Sequence, residues 1–156
     1  MLDEKSELLK REAEKIIQDL TLLEILDQYG EAQIVGSVAL DLIVKRDIDI
    51  HLVVNTPDLF GVVDRVYHQL LETEYIREVR ISDYRDHCGV KIGIDAYPAA
   101  SGNWSIDIWI TNCVEATGFE LVSRLKQELR PEHREAILRI KRKYHQKGEL
   151  RDGLST

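Results

Sequence analysis

Apolar residues recur at helical spacing near the start of the chain, where Leu9, Ala13, Ile16, Leu20 and Leu23 fall three or four positions apart within residues 4–28. This predicts an amphipathic helix, with Gly30 as its stop. Gln33 to Val35 is a short strand candidate, Gly36-Ser37 a sharp turn, and Val38 to Val44 a short helix. From Asp47 to Val54 polar and apolar residues alternate in the first half and β-branched residues dominate, which predicts a strand. Thr56-Pro57-Asp58 opens a helix running to about Glu74, with Thr56 as N-cap and Pro57 at the first helical position. Ile76 to Ser82, Val90 to Tyr97 and Ser105 to Thr111 predict three further strands. The turn-rich connections Asp83 to Gly89 and Pro98 to Asn103 make them antiparallel neighbours.

Two helices close the chain, Glu115 to Leu129 and Pro131 to about Lys147. The second places Ile137, Ile140 and Tyr144 on an apolar stripe and Lys141-Arg142-Lys143 on its solvent side; the ending, Leu150 to Thr156, is polar and frayed. This order predicts an α/β (α+β) protein, a mixed sheet with helices on one face and at one end. A single domain is expected over residues 1–156, its core at about 31–111.

Composition narrows the classes. No apolar run approaches the ~20 residues that span a bilayer, and the charged N-terminus lacks the apolar centre of a secretion signal. Cys88 and Cys113 fall in no metal-ligand or CxxC spacing, so reduced thiols and a cytoplasmic location are expected. The net charge of −7 is unevenly spread. Residues 1–120 carry 11 Lys and Arg against 23 Asp and Glu, a net of −12, whereas residues 121–156 carry 10 against 5, a net of +5. An acidic body argues against sequence-independent duplex nucleic-acid binding, which needs a basic face.

The chemistry concentrates between Gly36 and Ile50. A glycine permits a tight turn and close backbone approach, and the strand that follows presents Asp47 and Asp49 on one face while Ile48, Ile50 and Leu52 face the other way. Two carboxylates on one face repel each other unless a cation lies between them, and a hard divalent ion is the usual answer. A third acid, Asp107, stands between Ile106 and Ile108 in a strand that reads as interior, where an unpartnered charge is costly. If its strand neighbours that of Asp47, three carboxylates meet, and such a set suits two metal ions about 3.5–4 Å apart. Other readings stay open at this point. Arg80 or Lys91 pairs with Asp107; Asp95 is a rival third acid; His51, on the face of Asp47 and Asp49, is a satisfied histidine at the core edge or supports the acids; Trp104 and Trp109 stack on a nucleobase, with Trp109 lining the cleft, or pack in the core; Arg46 pairs with the acids or reaches a phosphate.

Gly-Ser, nine intervening residues and then Asp-x-Asp in an apolar strand resembles the signature of the nucleotidyltransferase superfamily, the DNA polymerase β-like fold, over roughly residues 31–111. Asp107 resembles that family's separate third aspartate. The resemblance implies a small stand-alone member that transfers a nucleoside monophosphate from a nucleoside triphosphate, with ATP the expected donor, to a hydroxyl acceptor; the acceptor is expected to be a small molecule or protein, with an RNA end disfavoured by the acidic body. It implies Gly36 and Ser37 as nucleotide-binding residues; Arg46, a departure from the family pattern beside the acids, is added to them as a candidate that reaches a phosphate. Asp47, Asp49 and Asp107 become Mg²⁺ ligands and catalytic acids, with Asp107 the base towards the acceptor. The alternative is a catalytically weak or inactive nucleotide-binding or partner-binding module, because Arg46 stands where many members carry a small residue, and a fixed cation there replaces a metal. A partner protein or a homo-oligomer fits either reading.

Overall fold

In the computed structural model, which describes residues 4–146, a five-stranded mixed sheet runs in the order β1-β2-β5-β4-β3. The strands are β1 (Gly30–Val35), β2 (Asp47–Val54), β3 (Arg80–Tyr84), β4 (Gly89–Ala99) and β5 (Gly102–Thr111). β2 and β5 are parallel; every other pair is antiparallel, including the expected β3-β4-β5 meander. The helices are α1 (Glu4–Asp19), α2 (Leu22–Asp27), α3 (Gly36–Leu40), α4 (Leu59–Leu71), α5 (Phe119–Glu128) and α6 (Pro131–Gln146).

Alternation along the two central strands sorts the molecule into faces. Ile48, Ile50 and Leu52 of β2, with Ile106, Ile108 and Ile110 of β5, are completely buried beneath α1, α2 and α4. α4 takes that position by its spacing, since Leu59, Val62, Val63, Val66 and Leu70 make one apolar stripe. A second, smaller core joins Val35, Leu40, Leu42 and Val44 to Phe119, Val122 and Leu138, so α3, α5 and α6 pack together at the opposite face. The odd-numbered side chains of β2 and β5 therefore emerge beside these three helices rather than in the main core.

Several boundaries differ from the expectation, each for a local reason. The first helix breaks at Thr21, whose backbone is left-handed, and Gly30 begins β1 instead of ending a helix. α3 is earlier and shorter than Val38 to Val44, because Asp41 turns left-handed at its end. Asp58, not Thr56, caps α4 by accepting the Gly61 amide at 3.0 Å. The strand expected over Ile76 to Ser82 is displaced to Arg80–Tyr84. The expected loop Pro98 to Asn103 is mostly paired strand, closing at Ala99 and Gly102. A 3-10 turn over Val114–Ala116 precedes α5, which starts at Phe119. Along α6, Ile137 and Leu138 pack inward while Ile140 and Tyr144 remain exposed. The polar ending lies outside the described residues. Among the described residues no helix is long and apolar enough to cross a membrane.

Candidate functional site

Parallel pairing of β2 with β5 sets Asp47 opposite Ser105 and Asp49 opposite Asp107. All three aspartates therefore share the face that α3, α5 and α6 flank. The first hollow there, about 530 Å³, is lined by Asp47, Asp49, Asp107, Gly36, Lys45 and His51 among others. A second, of about 220 Å³, continues past Asp49 and Asp107 to Lys91, Trp109 and Ala116.

Electrostatics reflect this crowding. Burial, then the charges of Asp107 and Asp47, push the Asp49 carboxyl up to about 6. Burial likewise raises Asp107, with Asp47 adding to the rise and Lys91 opposing it. Lys45 lies 3.2 Å from Asp47 and offsets part of the negative charge. Among the described residues no cation pairs with Asp49 or Asp107: Arg80 is engaged by Asp95, an exposed side chain at the β4 irregularity between Ile94 and Tyr97. Asp95, the rival third acid, is thus neutralised by its strand neighbour.

Gly36 shows how closely the turn approaches the acids. Its φ of +69° is left-handed, and a Cβ there would come within 2.9 Å of the Asp49 carboxylate. Ser37, the next residue, accepts a hydrogen bond at 2.8 Å from Lys141 Nζ, which also donates to the Leu42 carbonyl at 2.7 Å. Lys141 therefore leaves the solvent side expected of it and turns inward towards the site. Burial lowers its pKa, while Asp47 and Asp49 act to raise it. Spacing within α6 alone does not reveal this, because the hydrogen-bond partners lie about a hundred residues away. His51 Nδ1 accepts the Gly118 amide at 3.0 Å, and burial lowers its pKa, so the neutral ring holds the start of α5 against the sheet.

Arg46 does not join the acids. It has the parity of Ile48, and its Nε donates at 2.9 Å to Ser101 in the β4–β5 turn. Ser101 in turn binds the buried Glu12 of α1. Gly36, Asp47, Asp49 and Asp107 are thus gathered at the site with Ser37 at its edge, while Arg46 is directed away.

The donor chemistry fits a hard divalent cation: three carboxylates on one face, two of them with raised affinity for a proton and no paired cation. As the side chains stand, no group of three or more His, Cys, Asp or Glu among the described residues is drawn together closely enough to chelate one ion.

No family model matches the chain, and no curated protein sequence matches it. Solved structures do. Cid1 in complex with its short product ApU aligns with a TM-score of 0.56 at 16% identity, over 80% of this chain and 36% of its own. A cytoplasmic RNA terminal U-transferase aligns with a TM-score of 0.54 at 17% identity, over 76% and 36%. A mutant of the Cid1 poly(U) polymerase bound to MgATP gives 0.58 at 16% identity, over 81% and 38%. The chain thus spans little more than a third of the length of these structures. The topology they share places this chain in the nucleotidyltransferase fold.

Proposed function

We propose that this chain is a nucleotidyltransferase that moves a nucleoside monophosphate from a nucleoside triphosphate to a hydroxyl acceptor. The observation that carries the proposal is the register of Asp49 against Asp107 on parallel strands, with Asp47 on the same face. Asp47, Asp49 and Asp107 would hold divalent metal, Mg²⁺ foremost, which supplies neutralising charge to the phosphates and polarises the attacking hydroxyl.

The residues themselves have separable tasks. The acceptor oxygen forms a bond to the α-phosphorus, the bond to the β-phosphate oxygen breaks, and pyrophosphate leaves. Asp107, raised by burial, accepts the hydroxyl proton with more driving force than an ordinary surface carboxylate. Gly36 leaves room beside Asp49 for a phosphate, and the Ser37 hydroxyl, Lys45 and Lys141 offer donors and positive charge to the triphosphate. Catalysis then rests on positioning and on stabilising charge at the transferred phosphorus.

For the acceptor, the neighbours that act on RNA ends favour a single-stranded RNA terminus over the small molecule or protein expected at first. The same neighbours put UTP beside ATP as a candidate donor, since the Cid1 poly(U) polymerase structures concern UTP selectivity and a mutant of that polymerase is bound to MgATP. The direction of Arg46 towards Ser101 removes the observation that favoured a metal-free sensing module.

The test incubates the protein with Mg²⁺, each labelled triphosphate in turn, and a panel of RNA oligonucleotides, aminoglycoside-type alcohols and proteins, with calorimetry of Mg²⁺-triphosphate binding in parallel. Transfer that disappears in Asp107→Asn while triphosphate binding persists is the expected result. Absence of both binding and transfer at millimolar ligand defeats the proposal.

A further inference from the structure

The second hollow has a wall that nucleotidyl transfer as described leaves unused. Trp109 follows Asp107 by two residues on β5 and so stands on the same face, one side chain further from Asp47. Its indole is held in place from two directions. Nε1 donates to the Ala116 carbonyl at 3.0 Å, and the ring lies across the bare backbone of Gly89, where a Cβ would meet Cζ2 at 2.2 Å. Tyr84, at the end of β3, brings its exposed ring to 6.1 Å from the indole at an interplanar angle of 43°. Lys91, directly across from Trp109 in the β4–β5 register, lines the same hollow. Among the described residues no carboxylate pairs with Lys91, although its charge acts on both Asp49 and Asp107.

A rigid indole, a second ring at its margin and an unpaired cation together match the needs of a nucleotide better than those of a sugar or a peptide. Bases stack on aromatic faces irrespective of sequence, and a lysine meets the adjoining phosphate. The other end of the hollow opens on Asp107, the residue that must meet the acceptor hydroxyl. We infer that the hollow lined by Trp109 and Lys91, with the Tyr84 ring against the indole outside it, is an acceptor subsite, in which the 3′-terminal base of a single-stranded RNA stacks on Trp109 beside Tyr84 while Lys91 contacts its phosphate. The inference rests on the nucleotidyltransferase reading, and it divides the face in two: triphosphate on the Gly36 side of the acids, acceptor on the Trp109 side.

The chain's two tryptophans permit a direct test. Trp104 is fully buried, so a stacking base quenches chiefly the Trp109 emission. Short oligouridylate and oligoadenylate are titrated into the whole protein without triphosphate, and Mg²⁺-triphosphate affinity is measured separately by calorimetry. Quenching that saturates with oligonucleotide and vanishes in Trp109→Phe is expected. Tyr84→Ala, at an exposed position that spares the core, and Lys91→Gln are expected to weaken oligonucleotide affinity by about 5- to 100-fold, the range of stacking and charge contributions, with triphosphate affinity unchanged in Tyr84→Ala. Triphosphate binding without any oligonucleotide quenching, or quenching that survives in Trp109→Phe, overturns the subsite and leaves the enzymatic reading standing. Oligonucleotide quenching without triphosphate binding defeats the enzymatic reading instead. An aminoglycoside that competes with no oligonucleotide yet is itself modified also overturns the subsite.

Discussion

Lys141 Nζ donates to the Ser37 hydroxyl at 2.8 Å, tying the last helix to the Gly-Ser turn 104 residues earlier. The same amine reaches the Leu42 carbonyl, and Arg134 Nε donates to the Leu40 carbonyl at 3.2 Å, so α6 satisfies the backbone acceptors left where α3 ends. A basic helix thus becomes a brace for the turn beside the carboxylates, and its lysine supplies positive charge near Asp47 and Asp49.

The first prediction follows from that brace. Lys141→Met keeps the apolar stem and removes the ammonium. Mg²⁺-triphosphate affinity is expected to fall about tenfold, the scale of one charge-assisted hydrogen bond. Calorimetry of the variant, with circular dichroism to establish that α6 stays folded, measures it; unchanged affinity removes Lys141 from the triphosphate side.

The second prediction concerns pH. Asp49 titrates at about 6 in the folded chain against 3.8 for an ordinary aspartate, so the folded state holds a proton between those values that the unfolded chain has lost. Its contribution therefore favours folding at low pH and is lost as pH rises through about 6. Asp49→Asn removes the penalty and is expected to be more stable than the parent at pH 8. The gain is up to about 3 kcal/mol, the free-energy equivalent of a proton affinity raised roughly a hundredfold by folding. That corresponds to a Tm rise of up to about 6–12 °C. At pH 4 the two proteins are expected to melt together. The same variant should lose transfer activity, so stability and function move in opposite directions, as they do when charge is concentrated for chemistry. Thermal melts at both pH values, without added metal, measure the difference; a variant less stable than the parent at pH 8 contradicts it.

That Asp49 and Asp107 share a face of the sheet was legible in the amino-acid sequence because it depends on strand periodicity. Isoleucines at 48, 50, 106 and 108 mark the buried face of both strands, and parity then puts both acids on the other. Adjacency of the strands came from the resemblance, since parity does not specify neighbours. Arg46 adjoins Asp47 in sequence and so reads as a partner of the acids or a phosphate; only the Ser101 contact shows that it follows the parity of Ile48 and points away. What stayed illegible depends on tertiary docking. Lys141 reads as one more cation on an exposed helix until α6 is laid over α3. Thr21 and Asp41, both left-handed, end helices with none of the glycine that normally announces such a stop. Trp109 reads equally as a cleft or a core tryptophan until Gly89, on the adjacent strand, is seen to leave room for its ring.

The third prediction separates the two directions that a cation beside the acids was given. Arg46 Nε binds Ser101 rather than a carboxylate of the site. Arg46→Ala is therefore expected to change Mg²⁺-triphosphate affinity by less than about twofold and to cost only about 1 kcal/mol of stability, the scale of a partly exposed polar contact. A loss of tenfold or more in affinity shows that the side chain turns to the phosphates when they bind.

The fourth prediction lies on the far side of the sheet. Glu12, on α1, accepts from the Ser101 amide at 3.0 Å, the Ser101 hydroxyl at 2.7 Å and the Trp104 indole at 2.9 Å. Burial works to raise this carboxyl, but the hydrogen bonds from Trp104 and Ser101, helped by the Arg46 charge, hold it below the usual range. The sign is the reverse of that at Asp49: the stabilisation is present above the ordinary glutamate pKa of 4.5 and is lost as pH falls below it. Glu12→Ala leaves the buried indole N–H and the Ser101 amide without an acceptor, at a cost of about 2–4 kcal/mol, whereas Glu12→Gln retains one acceptor oxygen and is expected to cost about half as much. Urea unfolding of both variants at pH 7 measures the difference. Because Trp104 lies three residues before Asp107 on β5, Glu12→Ala is also expected to shift the position of that acid and lower transfer, while Mg²⁺-triphosphate binding at the Gly36 side is retained. A variant with full stability shows that the β4–β5 turn is held by strand pairing alone and that this buried carboxylate contributes nothing to it.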